Sequence, residues 1–307
     1  MSKEFRQTVW DDRLRHDCRA IVRLALDEDL GTAGDWTTLA LVDPRAVGRA
    51  TVAARRSGVV AGLPTVPIVL AMVDPQLQWS PAAEDGAAVS PAQAVGEIRG
   101  PAQAMLAAER VLLNLLGRLS GVATLTRRYV DAVAGTKARI YDTRKTTPGW
   151  RRLEKYAVRC GGGHNHRGGL DDAVLIKDNH LALGAQSTAG PSPFTPAEAV
   201  RRARQFVVAK SGDPTMIVEV EVDTLEQLDA VLPAEPDLVL LDNMTPEQLQ
   251  EAVRRRDAAN RSIELEASGG IDLNTVRAAA ESGVDRISLG ALTHSAVSLD
   301  FGLDWRS

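Results

Sequence analysis

The sequence predicts an α/β protein: a (β/α) barrel preceded by an α+β region. Three observations lead there. From about Ile140 onward, short apolar segments rich in β-branched residues alternate with helical segments, which implies right-handed βαβ units and a mainly parallel sheet. Such a sheet is either open or closed. The residues ending four of these strands, Glu221, Asp242, Ser268 and Gly290, follow one another at 21, 26 and 22 positions, about one βα unit each time. They would all project from one rim, and in a barrel the rim at the strand C-termini is the catalytic face. Finally, 307 residues suffice for one large or two smaller domains with a substantial core.

In the first third, CRAIVRLALDEDL (18–30) has apolar residues at helical spacing and breaks at Gly31. GRATVAARRSGVVAGLP (48–64) has short apolar runs bounded by Gly and Pro, which read as strands and turns. A long helix is predicted over 103–119, where Ala, Leu and Met dominate and Arg110 and Arg118 interrupt a buried-looking surface. Strands follow at ARIYDT (138–143), AVLIKD (173–178), IVEVEV (217–222), LVLLD (238–242), IELEAS (263–268) and RISLG (286–290). Between the later strands, TLEQLDAVL (224–232), TPEQLQEAVRRRDAAN (245–260) and LNTVRAAAESG (273–283) begin with Thr, Asn or Pro start signals and read as helices. WRRLEKYAVRCGGG (150–163) reads as a short solvated helix ending at the glycines. LGAQSTAGPSPFTPA (183–197) reads as a surface loop before the helix PAEAVRRARQFV (196–207).

Composition narrows the function classes. A formal net charge of −4 favours neither nucleic acid nor an anionic membrane as partner. The two cysteines, Cys18 and Cys160, form no metal-type spacing and no disulfide framework, as expected in a reducing cytosol. The polar start MSKEFRQTVWDDRLRHD lacks a signal-peptide core, and the densest apolar run, VLLNLLG (111–117), is too short to span a bilayer. The expectation is a cytoplasmic globular protein.

Against that acidic background, 137–177 carries ten Lys or Arg and four Asp or Glu. Arg151, Arg152, Glu154, Lys155 and Arg159 are expected to be exposed helix charges. Arg144, Lys145, His166, Arg167 and Lys177 instead flank strand ends and the glycine-rich GGGHNHRGG, where side chains point into a cleft. Guanidinium groups grip carboxylates and phosphates through paired hydrogen bonds, while ammonium groups act as movable point charges. Several cations in one cleft imply a ligand with several negative groups. EASGG (266–270) and SLGA (288–291), after the last two strands, stand where loops cradle a phosphate with backbone N–H groups. Glu219 and Glu221 share a strand face. At a barrel rim, Glu221 and Asp242 could bind ribose hydroxyls, hold Mg²⁺, stabilise a developing positive charge, or only neutralise nearby lysines. HNHRGG lacks a Cys or third His at ligand spacing, which argues against a metal site. Lys177 as a Schiff-base lysine would need a desolvated amine, which a crowded cationic pocket does not favour. His16 reads as a surface residue, and His294 as a cap or a rim ligand.

The blocks TRKTTPGWRRLEKYAVRCGGGHNHRGGLDDAVLIKDNH, VEVEVDTLEQLDAVL, LVLLDNM and LEASGGIDLNTVRAAAESGVDRISLGALTHSA closely resemble the quinolinate phosphoribosyltransferase family, and AERVLLNLLGRLSGVAT is similar to its long helix. The resemblance covers roughly 102 to the C-terminus. It implies an incomplete (β/α) barrel of the TIM-like kind with an N-terminal α/β (α+β) sandwich domain. The boundaries would be 1–113 for the N-terminal domain and 114–292 for the barrel, with the tail 293–307 packed on the former. The implied reaction transfers the phosphoribosyl group of phosphoribosyl pyrophosphate to quinolinate with decarboxylation. It gives nicotinate mononucleotide, pyrophosphate and CO₂ in NAD biosynthesis, with Mg²⁺ required. Arg144, His166, Arg167 and Lys177 would surround quinolinate, with Arg110 reaching in from a second subunit of a dimer or hexamer. Lys145 would lie between the substrates. Glu221 and Asp242 would hold the ribose hydroxyls and, directly or through water, the metal. Ser268, Gly269 and Gly290 would bind the 5-phosphate, with Lys177 and His294 beside phosphoribosyl pyrophosphate and His180 in a matching block. Trp150 and the length of 183–197 depart from the family pattern without touching these residues. A nicotinate-type or molybdenum-associated relative is the nearest rival, but a monocarboxylate would leave cationic charge unpaired. A non-catalytic relative would be expected to have lost some of these groups.

Overall fold

The computed structural model describes residues 4–186 and 194–305. In chain order its elements are α1 (Asp12–Leu30), α2 (Trp36–Leu41), β1 (Val47–Ala54), β2 (Gly58–Val59), α3 (Val66–Val73), β3 (Gln78–Pro81), β4 (Ala88–Val89), β5 (Ala94–Pro101), α4 (Ala102–Ala132), β6 (Arg139–Tyr141), α5 (Arg151–Cys160) and β7 (Val174–Ile176). There follow α6 (Asp178–Gln186), α7 (Pro196–Ser211), β8 (Val218–Val222), α8 (Leu225–Val231), β9 (Leu238–Asp242), α9 (Pro246–Ala259), β10 (Glu264–Ser268), α10 (Val276–Glu281), β11 (Arg286–Ser288), α11 (Ala291–His294) and β12 (Phe301–Trp305).

The chain divides into two compact units, one of residues 7–128, 145–163 and 291–305, the other of 4–6, 129–144 and 164–290. This division differs from the expected 1–113 and 114–292. The long helix predicted to end near Leu119 runs on to Ala132, and most of it stays with the first unit. The segment 145–163 joins it there because its end is tied to α4: Arg127 Nε donates to the Gly161 carbonyl at 3.0 Å. A Cβ on Gly161 would lie 2.5 Å from the Ala123 carbonyl oxygen, so the two backbones meet where only glycine fits.

In the first unit β12, β1, β5 and β3 form an antiparallel sheet in that order. The tail reaches it along α4, where the Leu299 N–H donates to the Gly117 carbonyl at 2.9 Å. Gly117 and Gly121, one helical turn apart, let the tail's backbone approach the helix. Helix α5 is not the solvated helix expected from its charges. Leu153, Ala157 and Val158 are buried, and so are Glu154 and Lys155. Glu154 accepts from Arg118 Nε at 3.0 Å and from the Thr147 N–H at 3.0 Å, so its charge is satisfied inside.

In the second unit six parallel strands run in the order β6-β11-β10-β9-β8-β7. Positions facing the helices are apolar and buried, among them Ile140, Val220, Val239, Leu241, Leu265, Ala267 and Ile287. Helices α7, α8 and α9 begin at Thr195, Thr224 and Thr245, whose hydroxyls accept the N–H groups of Glu198, Gln227 and Gln248. Among the described residues β6 and β7 do not pair with each other, so the fold is an incomplete (β/α) barrel. The segment beginning at His164 lies alongside β6: the His164 N–H donates to the Ile140 carbonyl at 2.8 Å and the Asp142 N–H to the His164 carbonyl at 3.0 Å. Residues 183–186, read as loop, finish helix α6, while 187–193 of that expected loop lie outside the described residues.

The inner face of this sheet is polar. Glu219, Glu266 and Arg286 are fully buried on it, together with Tyr141. Residues 4–6 belong to this unit, where Phe5 packs with Tyr141, Ala173, Ile217 and Leu238. Glu4 accepts from the Tyr141 hydroxyl at 2.9 Å and pairs with Arg139. No described helix is long and apolar enough to cross a membrane.

A methyl group at residue 121 would lie 2.2 Å from the Val297 carbonyl oxygen. Gly121→Ala is therefore expected to lose about 1–3 kcal/mol by overpacking, although Ala in a helix is ordinarily better than Gly by about 1 kcal/mol. Equilibrium denaturation in urea checks the sign.

Candidate active site

The parallel register builds the rim of the second unit. Asp242 stands opposite Ser268, and Glu221 stands opposite Leu240, two residues before Asp242. Behind the rim, Asn243 takes a left-handed conformation with φ 54°. Its N–H donates to the Ser268 carbonyl at 2.9 Å and its side-chain amide to Asp242 Oδ2 at 2.7 Å. Gly269 has φ +87°, and a Cβ there would lie 2.3 Å from Asn243 Oδ1, so the SGG loop needs glycine at this position for both space and conformation. Gly290 follows β11 by two residues, just after Leu289 donates its N–H to the Tyr141 carbonyl at 2.9 Å.

Lys177, one residue past β7, pairs with the Glu221 carboxylate. With 41 % of its side chain exposed and a carboxylate beside it, it is not the desolvated amine a Schiff base needs. Its backbone N–H donates to His180 Nδ1 at 2.9 Å, which places His180 at the turn into α6 rather than among the rim carboxylates.

Arg167 is buried, and its Nη1 donates to the Ala173 carbonyl at 3.3 Å. Its pKa is held below the usual arginine range, chiefly by burial and next by the positive charge of Arg144, with Glu219 and Asp172 opposing. The two guanidinium groups therefore act on each other in a partly desolvated place. Such an arrangement is relieved when an anion binds between them.

His166 is placed otherwise than a substrate-facing cation. It is only 5 % exposed, and both ring nitrogens are engaged within the unit. Nδ1 accepts the Arg167 N–H at 2.8 Å. Nε2 faces Glu219 Oε2 at 3.0 Å and Glu266 Oε1 at 3.5 Å. The Phe5 ring lies against the imidazole with centroids 4.2 Å apart. The His166 N–H donates to Asp142 Oδ1 at 2.8 Å, and Asn165 Nδ2 donates to Asp142 Oδ2 at 2.7 Å, pinning the segment to β6. Sequence reasoning missed Asp142, Asn165 and Glu266. The period-two pattern in IELEAS, which places Glu266 on the face of Ser268, was the available signal for the last.

The ligand atoms of His166, Glu219 and Glu266 lie within 4.8 Å of one another, the spacing of a metal site. The hydrogen bonding does not fit one. With Nδ1 accepting a backbone N–H, a metal on Nε2 would require an imidazolate. Both carboxylates are buried, and none of their oxygens has a well-aligned hydrogen-bond partner, the Nε2 of His166 included. The Glu266 carboxyl is pushed up to about 7, chiefly by burial, with His166 opposing and the neighbouring Glu219 adding to the rise.

The remaining candidates belong to the first unit. Arg110 is largely exposed on α4, beside Glu109 at 2.9 Å. The Lys145 carbonyl accepts from the Thr293 hydroxyl at 2.7 Å, and His294 Nδ1 lies 2.7 Å from the Ser295 hydroxyl. Arg118 holds this region, donating to the Ala296 carbonyl at 2.9 Å and to that of Thr293.

Comparison with known proteins adds a family. Residues 35–120 match the quinolinate phosphoribosyl transferase N-terminal domain and residues 122–304 the C-terminal domain. The chain is 46 % identical over 288 residues to the nicotinate-nucleotide pyrophosphorylase [carboxylating] of Mycobacterium leprae, covering 93 % of this chain and 96 % of that one. It is 40 % identical to the probable enzyme of that name from Bacillus subtilis, over 90 % of this chain and 89 % of that one. The structure of the nicotinate-nucleotide pyrophosphorylase from Francisella tularensis superposes with a TM-score of 0.86 at 35 % identity, covering 99 % of this chain and 100 % of that one.

The raised Glu266 carboxyl has a thermodynamic consequence. Between the ordinary value of 4.5 and about 7 the unfolded chain loses this proton while the folded chain keeps it, so stability falls as pH rises through that window. Glu266→Gln, which cannot ionise, is expected to flatten this decline by roughly 3 kcal/mol at most. Urea denaturation of both proteins at pH 5, 6, 7 and 8 reads it out.

Proposed function

From the premise that the chain belongs to the quinolinate phosphoribosyltransferase family, we propose how its own residues carry out that reaction, phosphoribosyl transfer to quinolinate with loss of carbon dioxide. The observation that carries the reading is the buried Arg167 with the charge of Arg144 acting on it. A pyridine dicarboxylate brings two negative charges to cations that otherwise repel, and Lys177, paired with Glu221 past the end of β7, is assigned to the same substrate. A monocarboxylate would leave more of that charge uncompensated, which favours quinolinate over nicotinate as acceptor.

The phosphoribosyl group sits at the other strand ends in this reading. The backbone of Ser268, Gly269 and Gly290 cradles the 5-phosphate, in a loop whose glycine at 269 leaves room for Asn243. Glu221 and Asp242 take the ribose hydroxyls. As pyrophosphate departs, positive charge develops on the ribose, and these two carboxylates stabilise it. Lys145 lies between the two substrates, with His294 on the phosphoribosyl pyrophosphate side. Transfer precedes decarboxylation, because the positive ring nitrogen then stabilises the electron pair that departing carbon dioxide leaves on the adjacent ring carbon, which takes up a proton.

Mg²⁺ suits this donor set: Glu221 and Asp242 are partly exposed oxygen donors on adjacent strands, as a hard cation requires. When bound, it offsets the charge gathering on the leaving group. Exposed Arg110 is assigned to quinolinate in a neighbouring copy, so the working form is a homo-oligomer, dimer or hexamer, with a shared site. The cytoplasm, where phosphoribosyl pyrophosphate is available, is the proposed compartment.

Incubation with quinolinate, phosphoribosyl pyrophosphate and Mg²⁺ is expected to release carbon dioxide. No release, with product formed from nicotinate instead, would reverse the substrate assignment. Arg167→Ala is expected to raise the KM for quinolinate by on the order of a hundredfold, as the loss of a charged hydrogen-bonding partner does, with a much smaller change for phosphoribosyl pyrophosphate. Steady-state kinetics with each substrate varied in turn measures the difference.

A further inference from the structure

We infer that Thr293 and Arg118 are positioning residues: with the buried Glu154 they fix the backbone of Lys145 against the segment that carries His294, and so set the spacing of the two groups assigned to phosphoribosyl pyrophosphate. The inference rests on the roles proposed for Lys145 and His294 and adds residues that act through them.

The contacts all lie within the first unit and form an unbroken chain of hydrogen bonds. Thr293 is fully buried, and its hydroxyl donates to the Lys145 carbonyl at 2.7 Å. Arg118 takes the other side of the same residue. It donates to the Thr293 carbonyl, in the last turn of α11, and through Nη1 to the Ala296 carbonyl at 2.9 Å. A cation is the favoured partner for carbonyls at that end of a helix. The same guanidinium donates to Glu154 Oε1, from Nε at 3.0 Å and from Nη2 at 2.5 Å. Glu154, fully buried, reaches the chain two residues past Lys145: Oε2 accepts the Thr147 N–H at 3.0 Å and Oε1 the Thr147 hydroxyl at 2.9 Å. Arg151 Nε adds a bond to the Thr146 hydroxyl at 3.0 Å.

Residues 145–147 belong to no helix or strand, so no regular backbone ladder fixes them. The side chains of Thr293, Glu154 and Arg151 hold them instead. A lysine ammonium rides on a flexible stem, and where it can reach is set by where its backbone starts. His294 follows Thr293 directly, so the hydroxyl that holds Lys145 belongs to the neighbour of the second group. The anionic substrate then meets two groups whose separation is already set, which lowers the cost of ordering them on binding.

Thr293→Val keeps the shape and removes the donor; Thr293→Ala does the same without the second methyl, in case the valine is crowded; Thr293→Ser keeps the hydroxyl. The Val and Ala variants are expected to raise the KM for phosphoribosyl pyrophosphate about tenfold, the factor one lost hydrogen bond supplies, with the quinolinate KM changed less than about threefold. The Ser variant is expected to stay within about threefold of the unaltered protein for both. A residue that serves only the core would lower the folded fraction, and kcat with it, and leave both KM values alone. A folded Val or Ala variant with the original KM for phosphoribosyl pyrophosphate overturns the inference, as does equal weakening of both substrates.

Amide hydrogen exchange reads the same device without turnover. In the Val and Ala variants the Thr147 amide is expected to exchange about tenfold faster, while the paired amides of β1 and β5 keep their rates. An unchanged Thr147 amide overturns the inference. If the unaltered protein releases no carbon dioxide from quinolinate, the proposed reaction fails, and the exchange rates still decide whether Thr293 holds the Lys145 segment.

Discussion

The constraint on which this site depends is a gap in a sheet. Among the described residues six parallel strands do not close a barrel, and β6 and β7 do not pair with each other. The segment from His164 to Arg167 runs beside β6 in that opening without being a full strand. Its polar groups then need partners from the barrel interior, and Asp142, Glu219 and Glu266 supply them. An apolar inner face would leave this segment unsatisfied. The polar lining is thus a requirement of the incomplete barrel as well as of its chemistry.

Several buried charges of the described interior have neighbours of opposite sign. Arg286, fully buried, lies against Glu264 and over the rings of Tyr141 and Phe5. Glu266 tends to keep its proton because it is buried and Glu219 is beside it. Toward the strand C-termini charges of like sign also meet: Arg144 acts on the buried Arg167, with Glu219 and Asp172 opposing, while Lys177 pairs with Glu221.

Much of the architecture was legible because its physics is local. The period-two strands, the Thr and Pro starts of α7, α8 and α9, and the even spacing of rim residues all follow from steric and hydrogen-bonding rules acting within a few residues. The mistakes share one cause. WRRLEKYAVRCGGG looked solvated because charges usually are, yet Glu154 is buried where Arg118, distant in sequence, meets it. The end of α4 was read short because the Ala-, Leu- and Met-rich stretch ends near Leu119, whereas the helix runs on to Ala132 and its Arg127 serves the Gly161 carbonyl. The neighbours of His166, Glu219 and Glu266, come from strands β8 and β10 and were out of reach of local rules for the same reason.

By itself the sequence determined the repeating βα units, the offsets that bring Glu221, Asp242, Ser268 and Gly290 to strand ends, and a surplus of cations in one stretch. These are properties of spacing and composition, and the chain carries them into any parallel fold. Only the tertiary structure decided which charged groups face one another: Arg144 toward Arg167, Lys177 toward Glu221, and the His166 ring toward two buried carboxylates. Protonation, tautomer and burial depend on distances between groups brought together by folding, and the order of residues along a chain does not contain those distances.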